Sequence, residues 1–312
     1  MVRVAIAGGH GGVGRTIVEV LNDSSEHEAL ILSRKSDGEG GKTIQVDYGS
    51  VDGLVAVLDT HQIDTVICCF AVEGDSLAIS QLNLIQAAIN SKVTRRFVPS
   101  GFAIPYPQDA VKLLPQLADY FKAIEILRQS DLQWTVFHNG IFLDYFGPST
   151  LKSYLKPNIF VVDLRNKTAG IPGDGEVPLT FTYTFDLARY VVAMLDMEDW
   201  PEESRVIGDT VTWHEFVRLA EEICGCRFEI HYDSIEKLRG FEITELPGHQ
   251  ALYQHFPKKA FQWFMSIFEL YTADGTSCIT TQDSLNKIFP NIKPLTVRDM
   301  LIKYWSDERR NQ

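Results

Sequence analysis

The chain has 312 residues, 45% of them hydrophobic and 22% charged, which is the composition of soluble globular material and enough length to bury a core without disulfide or metal staples. Asp and Glu outnumber Lys and Arg by 41 to 29, for a formal net charge of −12 and a pI near 5.1. That balance argues against a nucleic-acid or anionic-lipid partner, which would call for a basic footprint, though it leaves room for a local basic pocket. No apolar run reaches the length of a membrane span, and Met1–Ala7 leads straight into glycines rather than into a signal peptide. Five cysteines, with no pair of CxxC motifs and no zinc-like Cys/His spacing, read as reduced thiols of a cytoplasmic protein without a metal centre.

The first half alternates. Val2–Ala7 is a short apolar run and Thr16–Asn22 has helical character. Ala29–Leu32 and Thr43–Val46 are further strands, and Val51–Asp59 is amphipathic. Thr65–Ala71 is a strand containing Cys68 and Cys69, and Ala78–Asn90 carries apolar residues at helical spacing. Arg96–Pro99, Gln116–Gln129 and Trp134–Phe137 follow as strand, helix and sixth strand. Strands alternating with helices predict an α/β fold, a doubly wound parallel sheet of Rossmann type, over residues 1–155.

Past residue 150 the rhythm changes. Gly170–Pro178 is turn-rich, and Phe181–Met197 reads as a strand end followed by a helix N-capped near Asp186. Thr212, with Glu215 three residues on, opens a helix to Cys224 with a possible capping box, and Gly225 between Cys224 and Cys226 suits a C-cap. Arg227–Tyr232 suits a strand. Phe241–Tyr271 holds eight aromatic residues, which can line an apolar pocket or form a helix core or subunit contact. Residues 156–312 are therefore expected to form a smaller substrate-binding region, with 178–197 packing back on the first.

The sharpest signal is the loop Gly8, Gly9, His10, Gly11, Gly12, Val13, Gly14. It satisfies both G-x-x-G-x-x-G and G-x-G-x-x-G, it follows the first strand, and it opens a helix. In that setting glycines let the backbone approach a pyrophosphate, and the helix N-terminus offers free N–H groups to the anion. At the end of the second strand, where an NAD enzyme usually keeps a carboxylate for the ribose hydroxyl, this chain has Arg34 and Lys35. Taken alone they are an ordinary basic pair at a loop start. Beside the glycine loop they favour NADP(H), because a guanidinium can fork onto a 2′-phosphate.

At this point the chain resembles the isoflavone reductase-like and NmrA-like group of atypical short-chain dehydrogenases. Besides the glycine loop and Arg34, the resemblance rests on RRFVPSGF (Arg95–Phe102), on KAIEILRQSDLQWTVFHNGIF (Lys122–Phe142), and on GDGEV (Gly173–Val177) followed by YTFDLA (Tyr183–Ala188). It covers roughly residues 2–235. Gly101 stands where the family often has Glu, and His10 where it usually has Thr or Ser.

The Tyr-x-x-x-Lys pair of conventional short-chain dehydrogenases does not occur. The resemblance implies that Lys122 takes its place, binding near the nicotinamide ribose and managing a proton directly or through water. It places Phe70, Ala71, Ser100, Gly101 and Asn139 along the cofactor, and Phe102, His138, Phe142, Tyr145 and Phe146 toward a substrate. His138 reads equally as a proton relay or as a packing histidine. Two functions follow: an NADPH-dependent reductase of a small aromatic or conjugated metabolite, acting as monomer or homodimer, or an NADP(H)-sensing regulator that binds a partner protein without turnover. The retained Lys122 and the aromatic-rich tail favour the reductase.

Overall fold

A computed structural model describes residues 1–24, 26–35, 42–71 and 75–306. The first half builds strands β1 (Arg3–Ala7), β2 (Glu28–Ser33), β3 (Thr43–Gln45), β4 (Thr65–Cys68), β5 (Arg96–Val98) and β6 (Gln133–Trp134). They hydrogen-bond in the order β3-β2-β1-β4-β5-β6, all pairs parallel. This is the strand order of a Rossmann-type doubly wound sheet, with its reversal between β1 and β4. Helices α1 (Gly12–Ser24), α2 (Val51–Thr60), α3 (Leu82–Asn90) and α4 (Leu117–Arg128) connect the strands.

The two faces of the sheet make two cores. On one, Leu30, Val66 and Phe97 pack with Leu54 of α2, Leu84 of α3 and Ala123 of α4. On the other, Val4, Ile6 and Val98 pack with Ile17 and Leu21 of α1. Each central strand is buried on both faces, which is why these segments read as continuous apolar runs rather than alternating ones.

The expected sixth strand divides. After β6, Thr135 turns its hydroxyl to Ser204 at 2.8 Å, and the chain continues as β7 (Val136–His138). Next come β8 (Ile141–Phe142), β9 (Val162–Asp163), β10 (Thr168–Pro172), β11 (Leu179–Thr182), α5 (Thr184–Met194) and β12 (Glu203–Arg205). β12 pairs in parallel with β7 in a two-stranded sheet of its own, built with a strand from the far half of the chain. α5 lies against α1, with Leu187, Tyr190 and Val191 in the same core as Ile17. Arg96 of β5 secures this return. It donates to the carbonyls of Leu195 and Met197, both at 2.8 Å, and its guanidinium lies 5.1 Å from the Trp200 ring centre.

Asp186 is not the N-cap that the sequence suggests. The cap position is Tyr183, and Asp186 sits inside the first turn, buried, where it pairs with Arg189 and accepts the Leu295 N–H at 2.6 Å. It ties the end of the chain to α5.

The remainder comprises β13 (Asp209–Val211), α6 (Trp213–Cys224), β14 (Glu229–Asp233), the short helices α7 (Ile235–Arg239) and α8 (His249–Leu252), α9 (Lys258–Ala273), α10 (Leu285–Ile288) and α11 (Val297–Trp305). The capping box at Thr212 and Glu215 forms, and Gly225 closes α6 at φ 65° in the left-handed region. A third core gathers Phe146, Phe181, Trp213 and Phe216. Five of the eight aromatic residues of the 241–271 run lie in α9, where Phe264 and Phe268 pack against both this core and the first. No helix among the described residues is long and apolar enough to cross a membrane.

Candidate active site

The glycine loop has the geometry of an anion cradle. Gly8 adopts φ 81°, and a Cβ there would lie 2.6 Å from the Cys69 carbonyl oxygen; a Cβ on Gly14 would lie 2.4 Å from the Gly8 oxygen. Neither position tolerates a side chain. Gly11 N–H is used within the turn, on the Gly8 carbonyl at 2.9 Å. α1 begins at Gly12, so its first N–H groups, from Gly12 to Gly14, lack intrahelical acceptors, and Gly12 itself lies against Tyr154 and Leu155. His10 is exposed on the loop and Val13 is half-buried against the α1 core. The residues fit a dinucleotide phosphate on chemical grounds: bare backbone, a helix N-terminus and no carboxylate in the loop.

Arg34 and Lys35 are exposed beyond the tip of β2. Arg34 borders an open depression with Gln45, Val46 and Asp47. Its carbonyl accepts the Gln45 side-chain N–H at 3.3 Å, which fixes the backbone and leaves the guanidinium to the depression.

Strand ends carry the next layer. Phe70 is half-buried and sets its ring edge-on to Tyr48 at 5.2 Å, and Ala71 is exposed. Ser100 Oγ donates to the Phe70 carbonyl at 2.7 Å, and its N–H donates to Gln81 Oε1 at 2.7 Å. Ser100 therefore joins the ends of β4 and β5. Gly101 follows, and a Cβ there would lie 2.8 Å from Tyr120 Cε2. Asn139 is fully buried, with its N–H on the Ala103 carbonyl at 2.8 Å and its Oδ1 without a partner.

Beside these ends lies a cavity of about 400 Å³, bordered by Tyr106, Tyr120, Lys122, Trp134, His138 and Glu203 among others. Lys122 is exposed and sits in the second turn of α4, not at the helix start, so the helix dipole bears little on it. The buried stripe of α4 is Leu117, Tyr120, Ala123 and Leu127, and Lys122 projects from the opposite side. Tyr120 projects inward. Its ring lies 5.7 Å from Tyr106 and 5.2 Å from Phe121, both edge-on. Burial first, then the nearby Glu203 carboxylate, raise its hydroxyl above the usual phenol range, and no hydrogen bond contributes.

His138 is 3% exposed with Nδ1 unpartnered. Burial pushes it down to about 4, against an opposing pull from Glu203, so the ring is neutral at physiological pH. Phe102 stacks on Phe137 at 5.6 Å, and Phe142 meets Tyr145 edge-on at 6.1 Å. Phe146 is 2% exposed and packs on Phe181 and Phe216, inside the third core, which corrects its expected place beside the substrate. Tyr106, Tyr120 and Glu203 were not singled out from sequence. The helical period of Leu117, Tyr120, Ala123 and Leu127 carried the signal for Tyr120; Glu203 reaches the cavity only through the long-range pairing of β12 with β7.

Among the described residues the cysteines form no disulfide. Among the described residues, Glu26, His27 and Asp196 place potential metal-ligand atoms within 4.8 Å of one another. His27 Nδ1 accepts the Val2 N–H at 3.4 Å, so the proton sits on Nε2 facing Asp196 at 3.5 Å, an arrangement that needs no ion.

Comparison with known proteins agrees with this geometry. The model of an NAD(P)H-binding family matches residues 8–157. The oxidoreductase BOA1 of Botryotinia fuckeliana is 35% identical over 302 residues, covering 94% of this chain and 96% of the relative. A solved structure from work on pinoresinol-lariciresinol and phenylcoumaran benzylic ether reductases and their relationship to isoflavone reductases superposes with a TM-score of 0.71, at 20% identity, over 97% of this chain and 99% of that one. Its 35% identity with BOA1 over nearly the whole of both chains shows that the chain belongs to the same family of NAD(P)H-binding oxidoreductases. As a member it is an NAD(P)H-dependent oxidoreductase. A binary complex of leucoanthocyanidin reductase with NADPH from Vitis vinifera shares the fold, with a TM-score of 0.75 over 97% of this chain and 99% of that one, at 15% identity. Family membership favours turnover over the regulator reading.

Proposed function

We propose that this isoflavone reductase-like chain is an NADPH-dependent reductase of a small aromatic or conjugated electrophile, an enone, quinone methide, imine or ketone, in secondary metabolism. The observation that carries the reading is the cavity: Tyr106, Tyr120, Trp134, a neutral His138 and Lys122 gather between α4 and the edge strands, with His138 at the carboxyl end of β7. Open α/β sheets bind their ligands at such ends, and about 400 Å³ suits one small molecule. The preference for NADPH rests on Arg34 and Lys35, which present positive charge where a 2′-phosphate would lie.

The bound nicotinamide would supply the hydride. The protein's part is placement. The Gly8–Gly14 loop holds the pyrophosphate, Ser100 keeps the strand ends in register, and the aromatic residues of the cavity orient the substrate. Lys122, at the open wall, handles the proton through water.

Fluorescence titration with NADPH and NADH tests the cofactor side. NADPH is expected to bind at least about tenfold more tightly, and Arg34→Ala to remove most of that difference. Equal affinities, unchanged in Arg34→Ala, would overturn it. A panel of aromatic electrophiles with NADPH tests the substrate class; no product from any member would overturn the reductase reading.

A further inference from the structure

We propose that Tyr120 is the side chain that hydrogen-bonds the reacting oxygen or nitrogen of the substrate, and that Gly101 is small in order to admit it. The inference rests on the reductase reading above and names the donor within that site. Three observations meet at this residue. Its ring lies on the buried stripe of α4, while Lys122 lies on the outer side. It presses against the backbone of Gly101, where any Cβ would fall 2.8 Å from Cε2, and Gly101 directly follows the Ser100 that binds β5 to the end of β4. It also borders the cavity shared with His138 and Lys122. A phenol at that place borders the cavity and lies directly against Gly101 beyond the end of β5, where the side chain that a glutamate at 101 would carry is absent.

The step balances for a carbonyl substrate. A bound reduced nicotinamide would supply hydride to the carbonyl carbon, forming the C–H bond as the C=O π pair moves onto oxygen. That oxygen takes the proton of Tyr120 Oη, breaking the phenolic O–H. The phenolate recovers a proton from water at the open wall, where Lys122 supplies a cation. Because Tyr120 and Lys122 are two residues apart on one helix, they do not face each other, and water must lie between them.

The test uses full-length protein saturated with NADP⁺ and 4-nitrophenol, whose visible absorption reports its ionisation. In wild type the bound probe is expected to ionise at lower pH than free probe. Tyr120→Phe is expected to bind the phenolate at least about tenfold more weakly with NADP⁺ affinity and melting temperature unchanged. Gly101→Ala, which displaces the ring, is expected to lose binding in the same direction. Failure of wild type to bind the probe, or equal binding by Tyr120→Phe, would overturn the role of Tyr120. Turnover of aromatic electrophiles, measured separately, tests the reductase reading: probe binding that depends on Tyr120, with no electrophile reduced, would support the donor and sink the reaction class.

Discussion

The two ends of the crevice are built from different materials. The phosphate end is backbone: Gly8 and Gly14 approach other main-chain atoms so closely that no Cβ fits, and helix α1 supplies its N–H groups. The cavity end is side chain: Tyr106, Tyr120, His138 and Glu203 come from separate segments and converge through packing. A backbone site is indifferent to which side chains surround it and intolerant of any added atom. A side-chain site can be retuned residue by residue while the scaffold stands. The same chain can therefore keep one cofactor and change substrates.

The largest effect should come from placing a methyl group in the backbone end. Gly14→Ala would set its Cβ against the Gly8 carbonyl, which cannot move without dragging the turn. We expect a loss of about 3 kcal/mol or more in denaturant unfolding, together with loss of NADPH binding. Unchanged stability would mean that the loop is looser than its contacts imply, and the contrast between the two ends would fall.

Next is the pH response of the cavity end. His138 has its folded value pushed down to about 4 from the ordinary imidazole value of about 6.5, chiefly by burial. Its contribution is fully present above the unfolded value and is lost as pH falls from about 6.5 to about 4, where the unfolded chain takes up a proton that the folded chain refuses. The loss should approach about 3 kcal/mol near pH 4, and His138→Gln should remove that share of the slope in unfolding curves measured at several pH values. Parallel slopes for variant and wild type would show that the ring is hydrated.

The smallest effect is expected at the open wall. Lys122→Ala should slow turnover about tenfold to a hundredfold, with NADPH affinity and melting temperature kept, because an exposed lysine acting through water is replaceable in part by buffer. Wild-type turnover in Lys122→Ala would exclude it from proton handling.

The backbone end was readable from sequence for a physical reason. Glycine spacing, a preceding apolar run and a following helix are all local, and the loop geometry follows from them. The capping box at Thr212 and Glu215 and the Gly225 cap were readable on the same ground. The cavity end was not. Thr135 divides the last strand because Ser204 waits across from it, and that partner lies far along the chain. Asp186 looked like a cap because Asp near a helix start usually is one; here the Leu295 N–H claims its oxygen instead. Phe146 reads from sequence as a substrate contact, but Phe181 and Phe216, distant along the chain, enclose it. Lys122 stands out by charge and family pattern, while Tyr120 lies on a stripe that reads simply as core.

The pairing of β12 with β7 has a consequence for how the protein is made. During synthesis the glycine loop and the first six strands leave the ribosome with β7 as an uncovered edge, and they stay so until Glu203–Arg205 arrives. An open strand edge is a template for pairing with another chain. The nucleotide-binding half must therefore wait, partly formed, for a strand encoded well beyond it, and nascent chains stalled between β7 and β12 should be the ones that chaperones hold and that aggregate when chaperones are scarce.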